Sequence, residues 1–140
     1  MKLKFKRIHP DAKLVQPAHA GDVGFDLYAM EGITVKPGEH ARIYNGFALE
    51  FPNGYAAIVK DKSSISKAGL HTMGGVFDAG FRGEYNVHLV NLGSEAYTIE
   101  KGDKVAQIVI LKVELPEIEE VSKLSESARG TGGFGSTGRK

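Results

Sequence analysis

The stretch GITVKPGEHARIYNGFALEFPNG, residues 32–54, sets three short apolar runs between turn signals. Alternating apolar and polar residues place one set of side chains on each face of a strand. Lys36-Pro37-Gly38-Glu39 and Pro52-Asn53-Gly54 interrupt the runs, Pro fixing φ and Gly or Asn accepting turn geometry. The same pattern extends outward from residue 5 to residue 113, with Lys101-Gly102-Asp103 at a later break. It predicts strands over 4–8, 24–28, 32–35, 40–44, 47–51, 56–59, 85–91, 97–99 and 105–113. Many short strands so spaced favour a sandwich, jelly roll or small barrel over a βαβ fold. Helix is predicted only over 63–68, opened by an Asp61 cap, and over 118–124.

The 140 residues fit one domain, and 41% apolar content supplies a core without a disulfide or metal staple. The absence of cysteine removes thiolate nucleophiles, disulfides and Cys-ligated zinc or iron–sulfur sites. With 18 Lys and Arg against 17 Asp and Glu, the formal charge of +1 speaks against a general nucleic-acid binder, so anion recognition must be local. No apolar run is long enough to cross a membrane, and lysines interrupt the amino-terminal apolar residues. A soluble, cytoplasmic chain without a signal peptide is expected, and a viral or phage chain in a host cytoplasm would look the same. Glycine, 18 of 140 residues, is about twice its usual share of roughly 7% and implies many tight turns.

Three segments could carry chemistry. Asp61-Lys62-Ser63-Ser64-Ile65-Ser66-Lys67 puts hydroxyls and cations at a helix start, which suits a polyphosphate, although a capped, solvated turn has the same composition. Gly74-Gly75-Val76-Phe77-Asp78-Ala79-Gly80-Phe81-Arg82-Gly83-Glu84 sets a carboxylate among apolar residues after paired glycines. Asp78 there either closes a turn or holds a reacting water. The tail from Arg129 to Lys140 contains five glycines, three cations and one aromatic and cannot pack as core. It is a disordered terminus or a lid bringing amides, hydroxyls and Arg129 to a phosphate and Phe134 to a ring. Gly133 to Gly138 has P-loop spacing, but no helix can follow Lys140, which excludes a P-loop NTPase. The five histidines lack metal-site spacing, and no nucleophile elbow surrounds any serine.

Taken in order, the segments resemble the five motifs of the trimeric dUTPase family. The first is Ala20-Gly21-Asp22-Val23-Gly24-Phe25-Asp26-Leu27-Tyr28-Ala29 and the second Asp61-Lys62-Ser63-Ser64. The third joins Gly75-Val76-Phe77-Asp78 to Phe81-Arg82-Gly83-Glu84, and the fourth is Lys101-Gly102-Asp103-Lys104-Val105-Ala106-Gln107. The fifth runs from Arg129 through Gly138. The resemblance implies an all-β fold, a distorted jelly roll or β-clip barrel, with a single β domain over 1–115 and a connecting segment over 116–128. A flexible Gly-rich C-terminal arm over 129–140 would close over the active site. It further implies a homotrimer with shared sites that hydrolyses dUTP to dUMP and pyrophosphate, with neither nucleic acid nor membrane as partner. That reaction keeps uracil out of DNA and supplies dUMP for thymidylate synthesis.

By the same resemblance, Asp78 would orient and deprotonate the attacking water. Lys62, Ser63, Ser64 and Gln107 would hold phosphates, joined by Arg129, Gly135, Ser136 and Thr137 from the arm. Phe134 would stack on uracil, while Thr72, Gly75, Val76, Phe77 and Asn86 would contact the base and Phe81 the deoxyribose. Mg2+ would bridge the phosphates, with Asp26 acting on it through water. Three departures stand out: Lys62 replaces the usual Arg, Phe81 the usual Tyr, and the spacing from Ser63 to Asp78 is one residue short. A dCTP deaminase shares the fold but needs a glutamate where this chain has His88, and a non-catalytic trimeric nucleotide-binding or regulatory module would be expected to lose the chemical residues that are retained here.

Overall fold

The computed structural model describes residues 1–133, so the expectations for Phe134, Gly135, Ser136 and Thr137 lie outside the described residues. The strands in chain order are β1 Lys4–Arg7, β2 Gly24–Tyr28, β3 Ile33–Val35, β4 His40–Tyr44, β5 Phe47–Glu50 and β6 Tyr55–Lys60. One helix, α1 Ser63–Lys67, precedes β7 Leu70–Thr72, β8 Val76–Asp78, β9 Asn86–Asn91, β10 Tyr97–Ile99 and β11 Lys104–Lys112. The protein is all-β, as its alternation predicts, with a jelly-roll arrangement of antiparallel sheets. The largest sheet runs β2-β11-β6-β8, a second runs β4-β9-β7, and two ribbons pair β1 with β5 and β10 with β3. Among the described residues these sheets do not close into a barrel.

The core follows from strand periodicity. On β9, Val87, Leu89 and Asn91 turn inward while Asn86, His88 and Val90 are half-exposed, and Ala41 and Ile43 do the same on β4. These residues meet Leu27, Phe47, Leu49, Leu70, Tyr85, Val105 and Ile108 in one continuous cluster. Asn91 is fully buried without cost because its amide donates to the Val35 and Glu95 carbonyls, both at 2.8 Å, and its Oδ1 accepts the Gly93 amide.

Three local expectations change. No helix forms over 118–124: Ile118 is 88% exposed and Leu124 81%, and a segment that short needs a packing surface to stay helical. The chain also forms β7 and β8 in a glycine-rich stretch where alternation is too brief to announce them; their registers come from β9 and β6. Finally, Lys62 rather than Asp61 is the N-cap of α1, and it makes no side-chain cap bond. The Asp61 carboxylate turns to β7, where Oδ1 accepts the Thr72 amide at 2.8 Å and Oδ2 meets His71 Nδ1.

Candidate active site

Two regions collect the predicted residues. The first is a cleft of about 220 Å³ between the β7–β8 connection and β9, lined by Thr72, Gly75, Val76, Phe77 and Asn86 with Met73, Gly74 and His88. Its wall carries no side chain at Gly75 for a steric reason. Gly75 sits at φ +108, and a Cβ there would stand 2.6 Å from Val59 Cβ, so any side chain would collide with β6. The Thr72 amide is already spent on Asp61, the Met73 amide on the His88 carbonyl at 2.9 Å and the Gly75 carbonyl on the Val59 amide at 2.7 Å, so Gly74 and the Gly75 amide form the edge of the cleft. Below it, Phe81 leans on Phe77 with centroids 5.4 Å apart, and Phe77 stacks on the fully buried Tyr85 at 4.2 Å. Phe81 stays 38% exposed, so one ring face is available to an apolar group.

Asp78 closes β8 opposite Ala56. It is exposed, forms no salt bridge among the described residues, and its carbonyl accepts the Phe81 amide at 3.0 Å, which turns the chain back toward the aromatic stack. His88 accepts a 2.6 Å hydrogen bond from Arg42 Nε at Nε2. Burial and the neighbouring Arg42 and His40 charges hold it below the ordinary histidine range, so at neutral pH it is an uncharged acceptor without a proton to shuttle at that nitrogen.

The second region lies at the other end of β6. Ser63 and Ser64 are exposed at the start of α1, and Lys62 immediately precedes them. Gln107 on β11 donates from Nε2 to the Asp61 carbonyl at 2.9 Å and thereby fixes the approach to that turn. Its side chain crosses Gly24, where a Cβ would come within 2.1 Å of Gln107 Oε1 and would displace the carboxamide. Beneath lies Asp26, its side chain 7% exposed, with Lys62 Nζ 2.8 Å from Oδ1 and Lys104 Nζ 2.7 Å from Oδ2. The motif pattern gives Lys104 no role, although its place in Lys101-Gly102-Asp103-Lys104, three before Gln107, marks it as a cation near the phosphate-type residues.

Burial alone would raise the Asp26 carboxyl, but the hydrogen bonds and charges of Lys104 and Lys62 outweigh it and hold it below the ordinary range. Asp61 behaves alike, burial being overcome by its bonds to Thr72 and His71. For Asp26 the stabilisation is fully present above the unfolded aspartate value of about 3.9 and is lost as pH falls through the lower folded value. Asp26→Asn is therefore expected to lower the melting temperature at neutral pH yet flatten the loss of stability below about pH 4. Thermal melts across that range check it; an unchanged acid limb would mean that Asp26 is not a source of the acid sensitivity.

Both Asp26 oxygens are engaged by ammonium groups, so a metal-bound water would share an oxygen with Lys62 or Lys104. Among the described residues no group of three or more His, Asp or Glu could hold one.

Asp61 joins the two regions, its Oδ1 accepting the Thr72 amide and its carbonyl the Gln107 side-chain amide, but Asp78 does not meet the Lys62–Ser64 turn within one chain. On β6, Asp78 faces Ala56 on one side while Gln107 faces Lys60 on the other, and the four residue steps between Ala56 and Lys60 span about 13 Å. Lys62, Ser63 and Ser64 follow the Lys60 end of β6 in the chain. Arg129, whose Nε donates to the Gly132 carbonyl at 2.9 Å, is exposed in a local turn and makes no hydrogen bond to either region among the described residues. No helix among the described residues is long and apolar enough to cross a membrane.

A sequence model of the dUTPase family matches residues 10–138. The deoxyuridine 5'-triphosphate nucleotidohydrolase of Clostridium tetani is 44% identical over 140 residues, spanning 98% of this chain and 97% of that one. The protein of the same name from Rhodococcus erythropolis is 40% identical, spanning 99% of this chain and 87% of the other. Among solved structures, the Staphylococcus bacteriophage 80alpha dUTPase with dUpNHpp superposes with a TM-score of 0.91 at 28% identity, covering 98% of both chains. A mutant dUTPase from phage phi11 of S. aureus, described with a structural Mg(II) ion, has a TM-score of 0.81 at 25% identity over 88% of this chain and 98% of that one.

Proposed function

Since the chain belongs to the dUTPase family, we propose that it hydrolyses dUTP to dUMP and pyrophosphate at a site assembled from separate copies of itself. The β6 register carries the second half of that statement. A water attacking the α-phosphorus must lie within hydrogen-bond reach of its base and beside the groups that hold the phosphates. Asp78 and the Lys62–Ser64 turn of one chain stand toward opposite ends of β6, which supports a second copy supplying one of them. A homotrimer with shared sites satisfies this geometry.

In this reading uracil enters the glycine-edged cleft, where Gly75 and Val76 offer backbone groups, Phe77 and Asn86 form the wall, and Thr72 is held in place by Asp61. Phe81 packs against the deoxyribose. A 2′-hydroxyl there would lose its water without gaining a partner, at a cost of about 1–3 kcal/mol, which disfavours ribonucleotides. Lys62, Ser63, Ser64 and Gln107 hold the phosphates from the neighbouring copy. Arg129, Gly135, Ser136 and Thr137 close on them, with Phe134 over the base.

Asp78 accepts a proton from the water as its oxygen bonds to the α-phosphorus, and pyrophosphate leaves from the opposite side. Magnesium belongs to the substrate in this reading, arriving as the dUTP complex and offsetting phosphate charge. The enzyme works with the nucleotide pool, in the cytoplasm of its cell or host. Deamination of dCTP is disfavoured by His88, whose Nε2 is taken up by Arg42.

Pyrophosphate release should be confined to dUTP in a panel with dCTP, dTTP and UTP, and no ammonia should come from dCTP. Subunit mixing tests the shared site. Asp78→Asn and Lys62→Gln/Ser63→Ala are each expected to be nearly inactive, whereas refolding them together should restore about a quarter of the sites, those drawing an intact residue from each parent. No gain on mixing would place Asp78 and Ser63 of one chain in one site and overturn the assembly.

A further inference from the structure

Asp26 is neutralised twice over. Lys62 and Lys104 reach different oxygens of one buried carboxylate, at 2.8 and 2.7 Å. The two lysines differ in their surroundings: Lys62 leads directly into the exposed Ser63 and Ser64, whereas Lys104 starts β11 opposite Tyr28. A buried carboxylate left without a cation is heavily penalised. If Lys62 were the lone partner of Asp26, turning to a phosphate would strand that charge. Because Lys104 shares it, Lys62 can leave.

We propose that Lys104 is a positioning residue for the phosphate chain: it keeps Asp26 ionised and paired while the Lys62 ammonium swings from Oδ1 to the substrate. An arginine in place of Lys62 could hold a carboxylate and a phosphate at once with its two-pronged donor. An ammonium is a compact point charge, so this chain divides the task between two lysines. The inference rests on the reading of Lys62 as a phosphate ligand.

Kinetics of pyrophosphate release and binding of a non-hydrolysable dUTP analogue test it. Lys104→Met leaves Lys62 as the sole partner of Asp26, so KM and the analogue Kd should rise about tenfold, the scale of one charge-assisted hydrogen bond, with kcat within about twofold. Lys104→Arg should remain near wild type. Adding Asp26→Asn to Lys104→Met removes the charge that detains Lys62 and should bring KM back toward wild type, a recovery that a merely structural role for Lys104 would not produce.

An unchanged KM in Lys104→Met, or a double variant worse than that single one, overturns the proposal. If Lys104→Met does not fold, the double variant is compared with Asp26→Asn alone. Equal KM values are then expected, because a neutral side chain gives Lys104 nothing to hold, and a tenfold difference overturns the idea. Absence of dUTP hydrolysis by the wild-type protein would instead overturn the assigned reaction.

Discussion

Asp78→Asn is expected to lower kcat for dUTP by about 10²- to 10⁴-fold, the range typical of losing a positioned general base, while the Kd of a non-hydrolysable dUTP analogue shifts by no more than a few-fold. The asymmetry has a structural basis. Asn matches Asp in size and can still hydrogen-bond a water, but it cannot take a proton from it. Asp78 also lies exposed at the end of β8 with no salt bridge among the described residues, so the substitution strands no cation and should leave the melting temperature nearly unchanged. Single-turnover kinetics with saturating dUTP separates the chemical step from binding. Turnover near the wild-type rate would move the base to another group and reduce Asp78 to a turn residue.

Ending the chain at Ala128 is expected to reduce kcat/KM for dUTP by about a hundredfold or more. The segment it removes contains Arg129, Phe134, Ser136 and Thr137, the groups assigned to phosphate and base. Base stacking on an aromatic ring contributes about 1–3 kcal/mol, and a charge-assisted hydrogen bond to phosphate about 1.5–3 kcal/mol. Either amounts to about fivefold or more, and the two act on the same bound nucleotide. The β domain should keep its stability, because residues 114–133 add nothing to the buried cluster. Thermal melting and pyrophosphate release on the same sample distinguish the cases: a truncated protein that melts normally and hydrolyses dUTP at full rate would remove the arm from the site.

Much of this was legible in the chain itself. Alternating apolar residues, as in Ala41 and Ile43 or Val87 and Leu89, determine strands because a strand buries every second side chain whatever it pairs with. Residue chemistry likewise marks the site: hydroxyls after Lys62, a carboxylate after paired glycines, a cation and an aromatic in a glycine-rich tail. Local pattern failed where a contact distant in sequence decided the outcome. Asp61 reads as a helix cap, but β7 offers it the Thr72 amide and His71, donors that are in place only once β7 has paired with β9. Residues 118–124 have helix-compatible composition, yet nothing packs on Ile118 or Leu124 to repay the ordering.

The sequence by itself determined the strand-built class and the kinds of groups available to the chemistry, since both depend on residue type and short spacing. Tertiary structure alone decided which groups meet. Asp26, Lys62 and Lys104 converge because β11 pairs with both β2 and β6, and Asp78 is held away from the Lys62–Ser64 turn because β8 joins β6 at its opposite end. Register between strands far apart in the chain sets those distances, and no local stretch of residues carries it.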